Sequence, residues 1–248
     1  MAQLYFKYGA MGSSKSANAL MARFNYEERG QDTLLVKPQL DTRDGDHMVS
    51  SRIGLKHPCV YFHEMQAMSD EELQKYACII VDEAQFLSKE EVYYLVHLVD
   101  DCNIPVICYG LRADFKGDLF PGSYHLLVLA DKLEEVKTIC WCGKKAAFNA
   151  RFDDQGHVLK EGEQVVLGAN DQYIGLCRRH WLASVGRIQG RKWVGVTRLI
   201  LFMASPKLPT PGSITLSLAM ITSLSLVMTA SSPRYCTAFS TLFMLPAS

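Results

Sequence analysis

Two short groups of residues have the types and spacing needed to hold a nucleoside triphosphate. The first is the segment 9–16, which ends in Lys15 and Ser16. The second is the pair Asp82 and Glu83, which directly follows an apolar run. A glycine-containing loop can surround phosphate groups, and an acid at a strand end can bind their magnesium ion. The two groups together predict a protein that binds ATP or GTP.

The elements around the loop are predicted to hold it at a helix N-terminus. Residues 4–8 have the pattern of an aromatic-rich strand, and residues 17–24 have helix-forming composition. A strand, a tight turn and a helix start direct backbone N–H groups and the positive end of the helix dipole toward an anion. Lys15 adds positive charge, and the Ser16 hydroxyl can ligate magnesium.

One position of the loop departs from the usual phosphate-binding pattern. The pattern has glycine directly before the lysine, whereas this chain has Ser14 there. If this position needs a left-handed backbone, serine costs about 1–2 kcal/mol. Considered alone, residues 9–16 also fit an ordinary Gly/Ser turn in front of a helix.

Asp82 follows a β-branched run, so we expect it at the carboxyl end of a buried parallel strand. In doubly wound folds this end lies next to the phosphate loop, where Asp82 could hold magnesium through water or through Ser16. Glu83 has two interpretations. It is either a solvated acid in a turn or a general base that takes a proton from an attacking hydroxyl or water.

Composition and charge limit the classes of function. The chain has 248 residues, 48% of them hydrophobic, enough for one main domain and a small accessory lobe. All 26 acidic residues lie at or before Asp171, whereas eight of the 26 Lys and Arg residues follow it. This acidic body argues against nucleic acid as a partner. The N-terminus leads straight into the first strand without a signal peptide, so the eight cysteines indicate thiols in a reducing cytoplasm.

Short apolar runs alternate with helical stretches over residues 1–137. This alternation predicts an α/β fold with a doubly wound, mostly parallel P-loop sheet and helices on both faces. The predicted strands are residues 4–8, 33–37, 59–62, 78–81, 104–109 and 125–130, and the predicted helices after the first are residues 69–76 and 88–101. Ser88 and Glu91 have the spacing of a capping box at the second of these helices.

Residues 138–182 have the composition of a small metal-binding lobe. Cys140 and Cys142 form a shortened knuckle, and Cys177 and His180 follow later in the chain. Three thiolates and an imidazole can close a tetrahedral zinc site, which would be structural because no ligand position stays open. The alternative is four unrelated side chains, since cysteine is a common core residue.

Taken in order, the motifs of the chain resemble one family over about residues 1–182. They are the loop 9–16, Leu40-Asp-Thr-Arg43, Val49-Ser-Ser-Arg-Ile-Gly54, Val81-Asp-Glu-Ala-Gln-Phe86, Tyr109-Gly-Leu-Arg-Ala-Asp-Phe115, the cysteine pair, and Gly168-Ala-Asn-Asp-Gln-Tyr173 before Cys177-Arg-Arg-His180. This combination closely resembles the cytosolic, type II thymidine kinases of bacteria. The resemblance implies transfer of the γ-phosphate of ATP to the 5′-hydroxyl of thymidine, with Mg²⁺ and a structural Zn²⁺. It also implies a cytoplasmic homotetramer inhibited by dTTP.

The resemblance gives roles to individual residues. ATP and magnesium would contact Gly9, Ala10, Met11, Gly12, Ser13, Ser14, Lys15, Ser16, Asp82, Glu83, Ala84 and Gln85. Glu83 would deprotonate the 5′-hydroxyl, with Arg43 as a second catalytic residue that stabilises charge. The thymidine site would consist of Met11, Phe86, Leu111, Phe115 and Tyr173, together with a lasso loop of Gln164, Val165, Val166, Leu167 and Gly168 that reads the base through its backbone.

Each of these roles has an alternative from the residues alone. Met11, Phe115 and Tyr173 could be ordinary core packing, and Arg43 could lie in a solvated loop. The acidic motif also resembles that of RNA helicases, which would make the chain an ATPase acting on nucleic acid. A zinc-bearing nucleotide-binding module without catalysis is a third class.

Residues 183–248 do not continue the resemblance. They are basic and then apolar, and residues 214–230 are almost long enough to span a bilayer. Many serines and threonines and three nearby prolines oppose a membrane span. A disordered or frame-shifted tail is therefore favoured over a membrane anchor.

Overall fold

A computed structural model of the protein describes residues 1–40, 47–152, 158–159, 161–164 and 173–184. All of these belong to the compact unit Met1–Ala204. Three groups of predictions lie outside the described residues: Arg43, the lasso residues 165–168 and the tail from residue 185. Within the described ranges, no helix is long and apolar enough to cross a membrane.

The described chain alternates strands and helices as the sequence predicts. The strands are β1 (Leu4–Gly9), β2 (Thr33–Lys37), β3 (Met48–Ser50), β4 (Lys56–Pro58), β5 (Val60–Tyr61), β6 (Cys78–Val81), β7 (Val106–Leu111), β8 (Lys132–Glu135), β9 (Thr138–Ile139), β10 (Lys145–Ala146), β11 (Phe148–Arg151) and β12 (Tyr173–Leu176). The helices are α1 (Lys15–Glu27), α2 (Phe62–Gln66), α3 (Asp70–Leu73), α4 (Lys89–Asp100), α5 (Pro121–Leu129) and α6 (Arg178–Ser184), with a 3₁₀ turn at Ala84–Phe86.

Six strands form the central sheet in the order β5-β2-β6-β7-β1-β8. Every neighbouring pair in this sheet is parallel. Strand β7 lies between β1 and β6, so the carboxyl ends of these three strands meet at one edge of the sheet. The predicted α/β fold is confirmed, and ligands of such sheets bind at that edge.

Helices cover both faces of the sheet. Successive side chains of a strand point to opposite faces, and both faces carry apolar side chains here. Leu34 and Val36 of β2 belong to the larger core, which α2, α4 and α5 cover. Leu35 points to the opposite face, where Ala19 and Leu20 of α1 pack. Apolar side chains on both faces are expected for a fully buried parallel sheet.

The predicted strand at residues 125–130 is wrong, because residues 125–129 belong to α5. A short apolar run does not distinguish a strand from a buried helix by its periodicity. Pro121 occupies the first turn of α5, a position that favours helix initiation. The helix packs against the 3₁₀ turn so closely that a Cβ at Gly122 would lie 2.4 Å from the Ala84 carbonyl oxygen.

Several element boundaries also differ from prediction. The strand predicted at residues 59–62 is only Val60–Tyr61, and Phe62 already begins α2. The charged edge strand β8 was not predicted, because its sequence has no apolar alternation. The capping box at Ser88 and Glu91 is present: the Ser88 hydroxyl accepts from the Glu91 N–H, and the Glu91 carboxylate accepts from the Ser88 N–H.

A small lobe follows the central sheet. Strands β9 and β10 pair with each other, as do β11 and β12, and both pairs are antiparallel. Its core contains Cys140, Phe152, Leu176, Cys177 and Trp181. The exact division of the chain at residues 137 and 182 stays a prediction.

Candidate active site

The phosphate loop connects the end of β1 to the start of α1. Gly9 has no space for a side chain, because a Cβ there would lie 2.6 Å from the Val136 carbonyl oxygen. Gly12 and Ser14 both have left-handed backbones, with φ of 74° and 60°. The start of α1 at Lys15 directs the first backbone N–H groups of the helix toward the loop, where they can bind an anion.

Ser14 holds the conformation for which glycine is usual at this position. Its side chain makes no capping hydrogen bond to the helix. The sequence-based expectation of backbone strain at this residue therefore applies to the folded loop. The conformation costs about 1–2 kcal/mol for a residue with a Cβ atom.

Lys15 brings its ammonium group back over the loop. The side chain is buried, and Nζ donates to the Ala10 carbonyl oxygen at 3.0 Å and to the Ser13 hydroxyl at 3.4 Å. The positive charge therefore lies within the turn formed by residues 10–14. A phosphate group bound in this loop would meet both this charge and the backbone N–H groups.

Asp82 is buried at the carboxyl end of β6. Burial, reinforced by the charge of Glu83, raises the pKa of Asp82 from 3.8 to about 7, while a hydrogen bond with Ser16 and the charge of Lys15 act in the opposite direction. Its Oδ1 atom is buried and has no hydrogen-bond partner among the described residues. A buried, unpartnered carboxylate oxygen next to a serine hydroxyl is a donor set that fits magnesium.

Glu83 has a left-handed backbone, with φ of 53°. The Gln85 side-chain amide donates a hydrogen bond to its carboxylate. The same Gln85 side chain accepts from the Leu111 N–H at 2.9 Å and is fully buried. Gln85 therefore orients Glu83 and fixes it to the end of β7.

A cavity of about 310 Å³ lies over the phosphate loop. Its walls are Met11–Ala17 of the loop and α1, Ser50–Ile53 at the end of β3 and beyond it, and Glu83. The cavity thus brings together the loop and one of the two acids. Ser50–Ile53 includes Arg52, a cation that sequence reasoning missed as a site residue, although the segment was part of the motif Val49–Gly54.

Of the residues predicted to contact thymidine, Met11 lies in the wall of this cavity, and the others described lie outside that wall. Leu111 ends β7, Phe115 is buried after it, and Phe86 packs edge-on against Phe120 with ring centroids 5.8 Å apart. Arg151 brings Phe115 and Tyr173 together, since its guanidinium lies 5.4 Å and 5.9 Å from their ring centroids.

Gln164 is the one lasso residue within the described ranges. Its side-chain amide donates to Asp114 Oδ2 at 3.2 Å and to the Leu119 carbonyl oxygen at 3.3 Å. The start of the lasso is therefore fixed to the loop after β7 by a side chain, whereas the sequence-based expectation concerned only its backbone.

Asn149 links the lobe to the phosphate loop, and sequence reasoning did not find it. Its side-chain oxygen accepts from the Met11 N–H at 2.8 Å, and its amide nitrogen donates to the Ala113 carbonyl oxygen at 2.8 Å. The residue is buried on β11. A single asparagine in a short strand carries no signal by which it could have been predicted.

The four predicted metal ligands come together in the lobe. Their donor atoms, from Cys140, Cys142, Cys177 and His180, all lie within 4.8 Å of one another. His180 Nδ1 lies 3.2 Å from Cys140 Sγ and 3.6 Å from Cys177 Sγ. Burial lowers the pKa of His180, which favours the neutral imidazole that metals bind. This donor set fits zinc.

A phosphate loop at a helix start, with a buried acid at the same edge of a parallel sheet, defines a P-loop nucleotide-binding protein. Comparison with known proteins narrows this class. The chain belongs to the thymidine kinase family, which it matches over residues 2–181.

Similar proteins come from several bacteria. The chain is 46% identical over 193 residues to a thymidine kinase of Zymomonas mobilis, covering 76% of this chain and all of the relative. It is 49% identical over 194 residues to that of Vibrio vulnificus, covering 75% of this chain and all of the relative. It is 48% identical over 186 residues to that of Escherichia coli strain K12, covering 73% of this chain and 91% of the relative.

Replacing Ser14 with glycine is expected to stabilise the ligand-free protein. Relief of the left-handed strain exceeds the entropy that glycine adds to the unfolded chain, for a net gain of about 0.5–1 kcal/mol. Urea unfolding measures the difference. The matched control Ser14→Ala keeps the Cβ atom and should stay close to wild type. Equal or lower stability of Ser14→Gly would contradict strain at this position.

Replacing Asp82 with asparagine is expected to stabilise the ligand-free protein at pH 8 more than at pH 5. Because the pKa rises from 3.8 unfolded to about 7 folded, the folded state binds the proton more tightly. Its stability therefore falls as the pH rises across this interval. Asparagine carries no charge and avoids this loss.

The same Asp82→Asn variant should lose the stabilisation that MgATP gives to wild type. Thermal unfolding at both pH values, with and without MgATP, measures both effects. The exposed Asp100→Asn is the matched control. A destabilised Asp82→Asn protein at pH 8 would refute the argument from burial.

Proposed function

We propose that this chain transfers the γ-phosphate of ATP to the 5′-hydroxyl of thymidine and so produces dTMP in nucleotide salvage. The observation that carries the proposal is the position of Glu83 in the wall of the cavity over the phosphate loop. A general base for phosphoryl transfer has to lie beside the triphosphate site. Membership in the thymidine kinase family supports the same reaction.

ATP binds with its phosphates in the loop Gly9 to Ser16. The N–H groups at the start of α1 and the Lys15 ammonium group neutralise phosphate charge. Ser16 and Asp82 would hold the Mg²⁺ ion, a role supported by the unpartnered Oδ1 atom of Asp82. Magnesium supplies charge neutralisation on the transferred phosphoryl group.

Glu83 acts as the general base. It accepts the proton of the thymidine 5′-hydroxyl as that oxygen forms a bond to the γ-phosphorus. The bond between the γ-phosphorus and the β–γ bridging oxygen breaks, and ADP leaves with the bonding electrons. Gln85 holds the carboxylate during this step, and Arg43 stabilises the charge of the transferred group. Arg52, in the cavity wall, is an additional candidate for the last role.

Thymidine binds beyond Glu83, toward the lobe. Met11, Phe86, Leu111 and Phe115 provide an apolar wall for the base and its methyl group, and Tyr173 lies against the nucleoside. The backbone of residues 164–168 reads the donor and acceptor edge of thymine. One apolar wall and one backbone strip give a flat base both affinity and specificity.

The lobe binds one structural zinc ion through Cys140, Cys142, Cys177 and His180. The mutual distances of the four donor atoms support this assignment. Because all four ligands come from the protein, the ion stabilises the lobe and takes no part in the reaction. The lobe core is small, so metal ligation supplies folding free energy that apolar burial does not.

The proposal extends to inhibition of the enzyme and to its assembly from subunits. dTTP carries the base and sugar of thymidine, so it can occupy the thymidine site as a feedback inhibitor. We further propose a homotetramer in the cytoplasm. Exposed apolar side chains on α4 and α5, among them Tyr93, Tyr124 and Val128, provide surface for contacts between subunits.

An assay with different phosphate acceptors distinguishes this proposal from a helicase-type ATPase. Purified protein with MgATP is incubated with thymidine, uridine, single-stranded RNA or no acceptor, and ADP and dTMP are measured. We expect dTMP only with thymidine, and no stimulation of ATP hydrolysis by RNA. Hydrolysis stimulated by RNA without dTMP would favour the helicase class instead.

Glu83→Gln is expected to keep the fold and ATP binding but to lower kcat by about 10²–10⁴-fold. The amide has nearly the same shape as the carboxylate but cannot accept the hydroxyl proton. Steady-state kinetics and an ATP-binding titration separate the two effects. Glu90→Gln, an exposed acid of α4, is the matched control. If Glu83→Gln retained most of its kcat, the base would have to be sought elsewhere.

Cys177→Ser is expected to release one zinc ion per chain and to lower the thermal stability of the protein. Removing one of four ligands weakens metal binding and the folding free energy that depends on it. Elemental analysis and thermal unfolding measure both. Cys59→Ser, a buried cysteine outside the lobe, controls for the change of side chain. Zinc-free wild-type protein with full activity would disprove the assignment.

A further inference from the structure

A second group of metal-binding side chains lies outside the lobe, on the face of the sheet covered by α4. Asp70 begins α3, His97 lies in the last turn of α4, and Cys102 follows that helix. One donor atom from each residue lies within 4.8 Å of the other two. Neither the proposed reaction nor the lobe uses any of these side chains.

The distances from the His97 donor atom to the other two fit tetrahedral coordination of a single ion. His97 Nε2 lies 3.4 Å from Asp70 Oδ2 and 3.7 Å from Cys102 Sγ. Ligands bound to zinc at about 2.0–2.3 Å lie roughly 3.3–3.7 Å from each other in tetrahedral geometry. The corresponding contacts of His180 in the lobe measure 3.2 Å and 3.6 Å. The two groups therefore have similar dimensions.

A fourth residue, Asp101, orients the imidazole. Its Oδ2 atom lies 2.7 Å from His97 Nδ1, the ring nitrogen that faces away from Cys102. When Nδ1 donates its proton to Asp101, Nε2 has a lone pair directed at the group. Metal-binding histidines usually donate their second ring nitrogen to a carboxylate in this way.

An ion pair between a protonated His97 and the two aspartates is the competing arrangement. Such a pair would explain the contacts of His97 with Asp70 and Asp101. Cys102 is buried in the core that α4 covers, and its sulfur lies 3.7 Å from His97 Nε2, the nitrogen that also faces Asp70. An ion pair needs no thiol at this nitrogen, whereas a metal site uses one. A soft thiolate, an imidazole and a carboxylate together suit zinc-like cations.

We propose that Asp70, His97 and Cys102 form a second binding site for a divalent cation of the zinc type. Water completes the four ligands, because the protein supplies three. The ion connects the start of α3 to the end of α4, two helices of the layer that covers β6. This inference does not depend on the reaction proposed for the cavity.

Metal content and spectroscopy of the full chain test the proposal. The metal is removed with a chelator, and Co²⁺ is then titrated in, since thiolate ligands give cobalt a characteristic near-ultraviolet absorption. We expect wild type to bind one more equivalent than His97→Gln or Cys102→Ala. The exposed His63→Gln is the matched control and should bind as much metal as wild type.

Cys177→Ser separates the two sites. It should lose the lobe equivalent and keep the one that His97→Gln loses, and the double variant should lose both. Asp101→Asn should keep all metal ligands yet weaken binding about 10–100-fold, because Asp101 only orients His97. Metal binding by His97→Gln and Cys102→Ala equal to that of His63→Gln would overturn the proposal.

Discussion

Burial of the Asp82 carboxylate is the constraint on which the site depends. Every residue of β6 is buried between two layers of helices, so the acid that follows it is buried as well. A carboxylate in this environment is stable only when donors or positive charge face it. Ser16 and Lys15 at the start of α1 provide part of that compensation. The phosphate loop and the end of β6 therefore stabilise each other, and a magnesium ion would complete the arrangement.

The lobe depends on the same edge of the sheet. Asn149 bonds to the phosphate loop and to the loop after β7, so one side chain joins three segments. The Trp181 indole adds a bond to the Phe115 carbonyl oxygen at 3.0 Å. The lobe is thus connected to residues of both predicted substrate sites. A loss of order in the lobe would reach the site through these bonds, which gives a structural metal an indirect effect on the reaction.

The sequence predicts most of the central sheet because its strands are apolar runs separated by helical stretches. It also predicts that Asp82 lies at a strand end beside the phosphate loop, because parallel strands bring their carboxyl ends together. The prediction fails for α5, because a short apolar run fits either a helix or a strand, and for β8, because most of its residues are charged. Asn149 could not be predicted, and Gln85 was predicted to contact ATP rather than to orient Glu83, since both roles come from which groups these side chains reach in the folded chain.

Ser14 and Glu83 both have left-handed backbones beside the cavity, but for different reasons. At Ser14 the side chain makes no capping bond to the helix, so glycine could replace it without loss of a cap. At Glu83 the conformation directs a carboxylate toward the cavity, and glycine would remove that group. Gln85 offsets the strain by bonding to both the carboxylate and the Leu111 N–H. Strain is tolerated at Glu83 because the buried hydrogen bonds around it fix one position for a side chain that would otherwise turn toward water.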